Sequence, residues 1–263
     1  MISDFSNSND LPNIEAEDCF EIESWRILSK KGSDKRTVIL LGGFSEDPKE
    51  VLLRYSGIIK NAHVIGLYWP GFGKTKCQGG QFDHTKLLPL IQTICDRYPH
   101  FEIDLLAHSF GARAYLSILD QIDSRIVTIH LVSPVLKLGW WEDFVAYLPK
   151  GFQRFAIQLV LSPFLQRILS SRFVGSKENR FVDRFKELDH VESLMLYYLK
   201  GLKNMVARYS KVRSLLAQTK CQIRFYLFQD DRISNASRWI SEIKTSSRVE
   251  LIQLKGRHFS RIQ

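Results

Sequence analysis

Asp104-Leu105-Leu106-Ala107-His108-Ser109-Phe110-Gly111-Ala112-Arg113-Ala114 is the stretch that decides the fold. An apolar run leads straight into a serine between small residues, and a helix-forming segment follows. A strand that bends sharply into a helix leaves no room for bulk beside the bend. Positions 107 and 111 must then be small, as Ala107 and Gly111 are. Such a turn lifts the Ser109 hydroxyl above the sheet edge. It also aims the first N–H groups of the helix, and the positive end of its dipole, at charge developing beside the serine. The bland alternative is that Ser109 only caps the helix, a position serine favours.

Outward from this turn the chain alternates short apolar runs with helical segments. Strands are expected at Thr37–Leu41, His63–Tyr68, Glu102–Ala107, Ile126–Val132, Gln222–Phe228 and Arg248–Leu254, with an early edge strand over Phe20–Leu28. Helices are expected near 82–98, 110–121 and 235–245. Continuous apolar runs, rather than alternating ones, suit a parallel sheet covered on both faces. The expected class is therefore α/β, a mostly parallel, doubly wound sheet. The rhythm breaks once. Between Leu138 and Thr219 the sequence is helical in pattern, which reads as an inserted helical cap over 137–219. The core then comprises 19–136 and 220–263, and residues 1–18 form a loose tail. Trp140, Trp141, Phe144, Tyr147, Phe152, Phe155 and Phe164 recur at helical spacing and are expected to pack the cap onto the core, some of them lining an apolar pocket.

Two further strand ends carry polar side chains. Strand 222–228 runs into Gln229-Asp230-Asp231-Arg232-Ile233, and strand 248–254 into Lys255-Gly256-Arg257-His258-Phe259. Carboxyl ends of parallel strands gather at one rim, where ligands bind. Ser109, Asp231 and His258 are thus expected to meet, although they lie far apart along the chain. A serine hydroxyl is a weak nucleophile until a base takes its proton, and that base needs an orienting carboxylate. Asp231 is the expected acid, with Asp230 the alternative. Strand 37–41 is followed by Gly42-Gly43-Phe44-Ser45, where glycines permit close backbone approach. The N–H groups of Phe44 and Phe110 are the expected pair of oxyanion donors. His108 is expected to be a structural neighbour of the turn, pointing away from Ser109.

Leu41-Gly42-Gly43-Phe44, Trp69-Pro70-Gly71-Phe72-Gly73-Lys74-Thr75, Ala107-His108-Ser109-Phe110-Gly111, Asp231-Arg232-Ile233 and Gly256-Arg257-His258-Phe259, in this order, resemble the motifs of α/β-hydrolase fold serine hydrolases. The resemblance covers roughly residues 20–263. It departs from the family in three places: Gly42-Gly43 stand for the usual His-Gly, Tyr68-Trp69 stand where Asp often precedes Pro-Gly, and the last helix is short or missing. It implies a carboxylic ester or thioester hydrolase acting through an acyl-enzyme, with no cofactor and no metal. Carbon–carbon bond hydrolysis on the same residues and a non-catalytic binding protein are the rival readings.

Composition narrows the partners. The 263 residues are 44% hydrophobic and 25% charged, with a net charge of +9. Residues 1–50 carry 11 acids against 6 bases, whereas residues 137–213 carry 14 bases against 7 acids. A basic, apolar cap suits an acyl chain held by an acidic partner. The family's methyl esterase for a pimeloyl-carrier protein, in biotin synthesis, suggests an acyl-carrier protein. No nucleic-acid signature accompanies the charge, and no segment is long and apolar enough to cross a membrane. Gly71-Phe72-Gly73-Lys74-Thr75 lacks phosphate-loop spacing because residue 68 is Tyr. Cys19, Cys77, Cys95 and Cys221 form no paired spacing, which suits a reducing, cytoplasmic setting.

Overall fold

Alternate residues of the central strands point into different cores, and this is why the apolar runs are unbroken. The computed structural model describes residues 17–22, 25–32, 35–77, 80–99, 101–136, 148–162, 191–202, 204–205, 209–231, 233–234 and 247–262. In chain order the elements are β1 (Glu17–Ile22), β2 (Trp25–Lys30), β3 (Arg36–Leu41), α1 (Pro48–Arg54), β4 (His63–Leu67), α2 (Leu87–Arg97), β5 (Glu102–His108), α3 (Phe110–Ser117) and β6 (Ile126–Val132). Then come α4 (Lys150–Leu161), α5 (Val191–Leu202), α6 (Tyr209–Gln218), β7 (Gln222–Phe228) and β8 (Val249–Leu254).

The eight strands form one sheet in the order β1-β2-β4-β3-β5-β6-β7-β8. The β1–β2 and β2–β4 pairs are antiparallel. Every pair from β4 through β3, β5, β6 and β7 to β8 is parallel. Ile39, Leu41, Ile65, Leu67, Leu105 and Leu131 face one core, shared with Leu90 and Ile94 of α2 and Tyr115 of α3. Val38, Leu40, Val64, Leu106 and Val132 face the other, shared with Val51 and Leu52 of α1. Helices thus cover both faces, as expected for a doubly wound sheet.

The expected single strand over Phe20–Leu28 is instead two strands. β1 and β2 fold back on each other with Glu17 opposite Lys30 and Ile22 opposite Trp25. Helix α1 was not anticipated. Its signal is Asp47-Pro48: the Asp47 carboxylate accepts from the Lys49 N–H and Pro48 opens the first turn. The expected helix at 235–245 lies outside the described residues. Helices α4, α5 and α6 fall between β6 and β7, inside the stretch expected to form a cap. Leu194, Tyr197 and Tyr198 of α5 join the core. Phe152 and Phe155 of α4 do not: they are 62% and 64% exposed, contrary to the expected packing. Their helix turns Gln153 and Ile157 inward instead.

The two cores make a plain stability prediction. Leu105→Ala deletes fully buried methyl groups in the middle of the sheet and should lower unfolding free energy by about 2–5 kcal/mol in urea titration. Val127→Ala, on the same sheet but 46% exposed, should change it by less than about 0.5 kcal/mol.

Candidate active site

Ser109 sits between the last residue of β5 and the first of α3 with φ 52° and ψ −112°. A left-handed φ at a residue carrying a β-carbon costs on the order of 1–3 kcal/mol and persists only when its surroundings hold it. Here the Ser109 N–H donates to the Val132 carbonyl at 2.9 Å, and the Ser109 carbonyl accepts from Val135 at 3.3 Å. The small residue at 111 has a steric cause. A β-carbon there would lie 2.4 Å from the Gly42 carbonyl oxygen and 2.6 Å from that of Leu41. The helix start is pressed against the end of β3, so Gly111 is needed for close approach.

The Ser109 side chain makes no capping hydrogen bond to its helix. It turns to His258 instead. The Oγ–H donates to Nε2 at 2.9 Å, and His258 Nδ1–H donates to Asp231 Oδ2 at 2.8 Å. The three residues expected to meet at the sheet rim therefore do. Asp231 is buried, whereas Asp230 is exposed and spends its N–H on the Gly256 carbonyl. Asp231 is saturated with donors. Oδ1 accepts from the N–H groups of Ile233 at 2.9 Å and Ser234 at 3.0 Å. Oδ2 also accepts from the Ser234 hydroxyl at 2.6 Å.

Burial alone would raise the Asp231 carboxyl pKa, but hydrogen bonds and charge from His258, with the Ser234 bonds, outweigh it. The carboxyl is held well below its usual range. His258 moves down as well. Burial is the largest cause, the nearby His108 adds to it, and Asp231 and Glu46 oppose it. A lowered pKa keeps the imidazole neutral, and so able to accept a proton, at and somewhat below neutral pH.

The loop after β3 lies against this serine. A β-carbon on Gly43 would be 3.2 Å from that of Ser109, and the Phe44 and Phe110 rings meet edge to face at 5.7 Å. The two residues expected to supply oxyanion donors therefore stand side by side. Phe44 also meets Phe72 at 5.6 Å and Tyr198 of α5 at 4.7 Å. Elsewhere, a polar cleft of about 440 Å³ lined by residues such as Asp83, His84, Asp120 and Lys211 lies by the C-terminal end of α3, away from Ser109. Among the described residues no group of His, Cys, Asp and Glu has the arrangement of a metal site, and no helix is long and apolar enough to cross a membrane.

No protein-family profile matches the chain, and no curated protein sequence does. Solved structures do. An esterase from Thermogutta terrifontis with malate bound superposes with a TM-score of 0.69, 13% identity, and coverage of 93% of this chain and 92% of that one. The thioesterase domain of the curacin biosynthetic pathway gives 0.62, 14%, 93% and 94%. The enol-lactonase from Burkholderia xenovorans LB400 gives 0.62, 11%, 92% and 93%. The chain has the α/β-hydrolase fold.

Sequence reasoning missed Ser234, Glu46 and Arg54, whereas His108 is the buried neighbour of the turn that was expected, bonded to Glu46 and to the His258 carbonyl. Ser234 had a local signal, since a residue three positions after an acid in a tight turn can return a hydroxyl to it. The others join across 62 residues, from Glu46 to His108, and only the folded sheet brings them together. The electrostatics predict that His258 titrates, in nuclear magnetic resonance, below the ordinary histidine range. Asp231→Asn should lower its midpoint further, because the carboxylate is what holds the pKa up. The unfolded state takes up these protons at higher pH than the folded state. Stability is therefore fully present above the ordinary histidine pKa and is lost as pH falls through the lowered one.

Proposed function

We propose that the protein is a serine hydrolase that cleaves a carboxylic ester or thioester. The observation that carries this reading is the series of hydrogen bonds from the Ser109 hydroxyl to His258 Nε2 and from Nδ1 to Asp231, on a turn where the serine makes no capping bond to its own helix. Ser109 Oγ attacks the carbonyl carbon while His258 Nε2 takes its proton. The carbonyl electron pair moves onto oxygen, where the N–H groups of Phe44 and Phe110 are the proposed donors. Collapse breaks the bond to the leaving alkoxide or thiolate, which receives the proton from His258. Water then gives a proton to His258 and attacks the acyl-serine. The acid departs, and the proton returns to Ser109.

Asp231 holds the imidazole in the tautomer with Nδ1–H and stabilises its charged form. The rings of Phe44, Phe72 and Tyr198 border the loop beside Ser109, which supports an apolar acyl or aromatic group in the substrate. Residues 137–219 are proposed as the cap. An acidic acyl-carrier protein docking there, and a cytoplasmic setting, rest on the sequence. The described bases of α4 are Lys150 and Arg154, and Arg154 is already paired with Glu192 at 3.1 Å.

Two outcomes are expected. A fluorophosphonate probe should label the wild-type protein and leave Ser109→Ala unlabelled. Failure to label the folded wild type would favour a non-catalytic binding protein. Asp231→Asn should lower kcat for p-nitrophenyl esters on the order of ten-thousandfold while the protein still folds.

A further inference from the structure

The proposed reaction gives no task to a buried charged cluster beside His258. Its members are Glu46 from the loop after β3, Arg54 from the end of α1, and His108 from the end of β5. One Glu46 oxygen, Oε1, accepts from the Arg54 guanidinium at 2.5 Å. The other, Oε2, accepts from the Gly43 N–H and faces His108 Nδ1 at 2.7 Å. His108 Nε2 faces the backbone carbonyl of His258 at 3.0 Å. The His108 side chain is completely buried. Its ring centroid is 4.8 Å from that of His258, 5.5 Å from Tyr55 and 5.5 Å from Phe259.

A carbonyl oxygen can only accept, so His108 Nε2 carries hydrogen. Glu46 takes a guanidinium on one oxygen and a backbone N–H on the other, and one hydrogen lies between its Oε2 and His108 Nδ1. We propose that His108 is a strut, held by Glu46, that positions His258 through the bond to its backbone carbonyl. This rests on the reading of His258 as the base for Ser109; Glu46 and His108 are positioning residues, since neither touches the reacting atoms.

The charge pattern around the strut agrees. Burial pushes Glu46 up, yet His108 and Arg54 hold it well below the usual carboxylate range. The groups facing His108 are Glu46, with Arg54 behind it, Tyr55, His258 and Phe259, and Asp231 stands beyond His258. The strut also has a mechanical setting. After β8 the chain to Ile262 contains turns and no helix or strand. It is tied to α1 by the Ile262 N–H on the Arg54 carbonyl at 2.9 Å and by the Gly57 N–H on the Ile262 carbonyl at 3.1 Å. The His108–His258 bond is the matching tie at the other end of that segment.

The test pairs nitrogen resonance spectra of the histidine rings with ester kinetics on the full chain, using wild type, His108→Gln and Glu46→Gln. In the wild-type spectrum His108 Nε2 should carry the hydrogen of its bond to the His258 carbonyl, and Glu46→Gln should weaken that bond. His108→Gln should lower kcat for a p-nitrophenyl ester on the order of a hundredfold, as a slightly misplaced base does, with KM changed less than about twofold. Its acid limb in kcat/KM should move to higher pH. A wild-type His108 whose Nε2 carries no hydrogen, or an unmoved acid limb in folded His108→Gln, would overturn the proposal. If His108→Gln does not fold, the wild-type spectrum decides, its signal assigned through Glu46→Gln. A His108 bonded through Nε2–H to the His258 carbonyl in a protein that turns over no ester and takes no fluorophosphonate would support the strut and count against the hydrolase reading.

Discussion

The close approach of α3 to the end of β3 sets everything else in this site. With the Gly111 backbone against the carbonyls of Leu41 and Gly42, the chain has no gradual route from β5 into α3. Ser109 is forced into a left-handed conformation, and its backbone is held there by Val132 and Val135. The strain has a direct consequence for the side chain. A serine in an ordinary capping geometry would return its hydroxyl to its own helix; this one does not, and meets His258 instead. The sheet supplies the energy for this arrangement through two apolar cores, one on each face.

Around that turn, charge is organised in two layers. Asp231 is surrounded by four donors and remains ionised despite burial. It faces His258 from one side. On another side stands the Glu46–Arg54–His108 cluster, whose own ions are compensated within it. A buried imidazole bonded to Asp231 on one side and packed against His108 on another has a definite tautomer and a depressed proton affinity. Those are the two properties a base for serine requires near neutral pH. The arrangement also explains how the segment after β8 can hold His258 through short ties to α1 and β5.

Much of this was legible in the sequence, for physical reasons. The parallel sheet announced itself because strands buried on both faces are apolar throughout, as at Thr37–Leu41 and Gln222–Phe228. The meeting of Ser109, Asp231 and His258 followed from strand ends collecting at one rim. What escaped reading was tertiary. Phe20–Leu28 looked like one strand because its apolar residues continue through the point where the chain reverses. Phe152 and Phe155 have the spacing of a packed helix face, yet that face is exposed, since periodicity fixes which residues share a side and not which side is covered. Glu46 follows Gly42-Gly43-Phe44-Ser45 with no motif of its own, and the sequence places His108 beside the turn without naming its partners. Their partners lie on α1, β5 and the segment after β8, and no local pattern joins these.

The most direct measurement is mass spectrometry of the protein quenched within its first turnovers of a p-nitrophenyl ester or an acyl thioester. The account predicts a mass gain equal to one acyl group, mapped to the peptide containing Ser109 and removed again by water. Steady ester cleavage with no acylated Ser109 at the earliest quench times, or acylation confined to another residue, would contradict it.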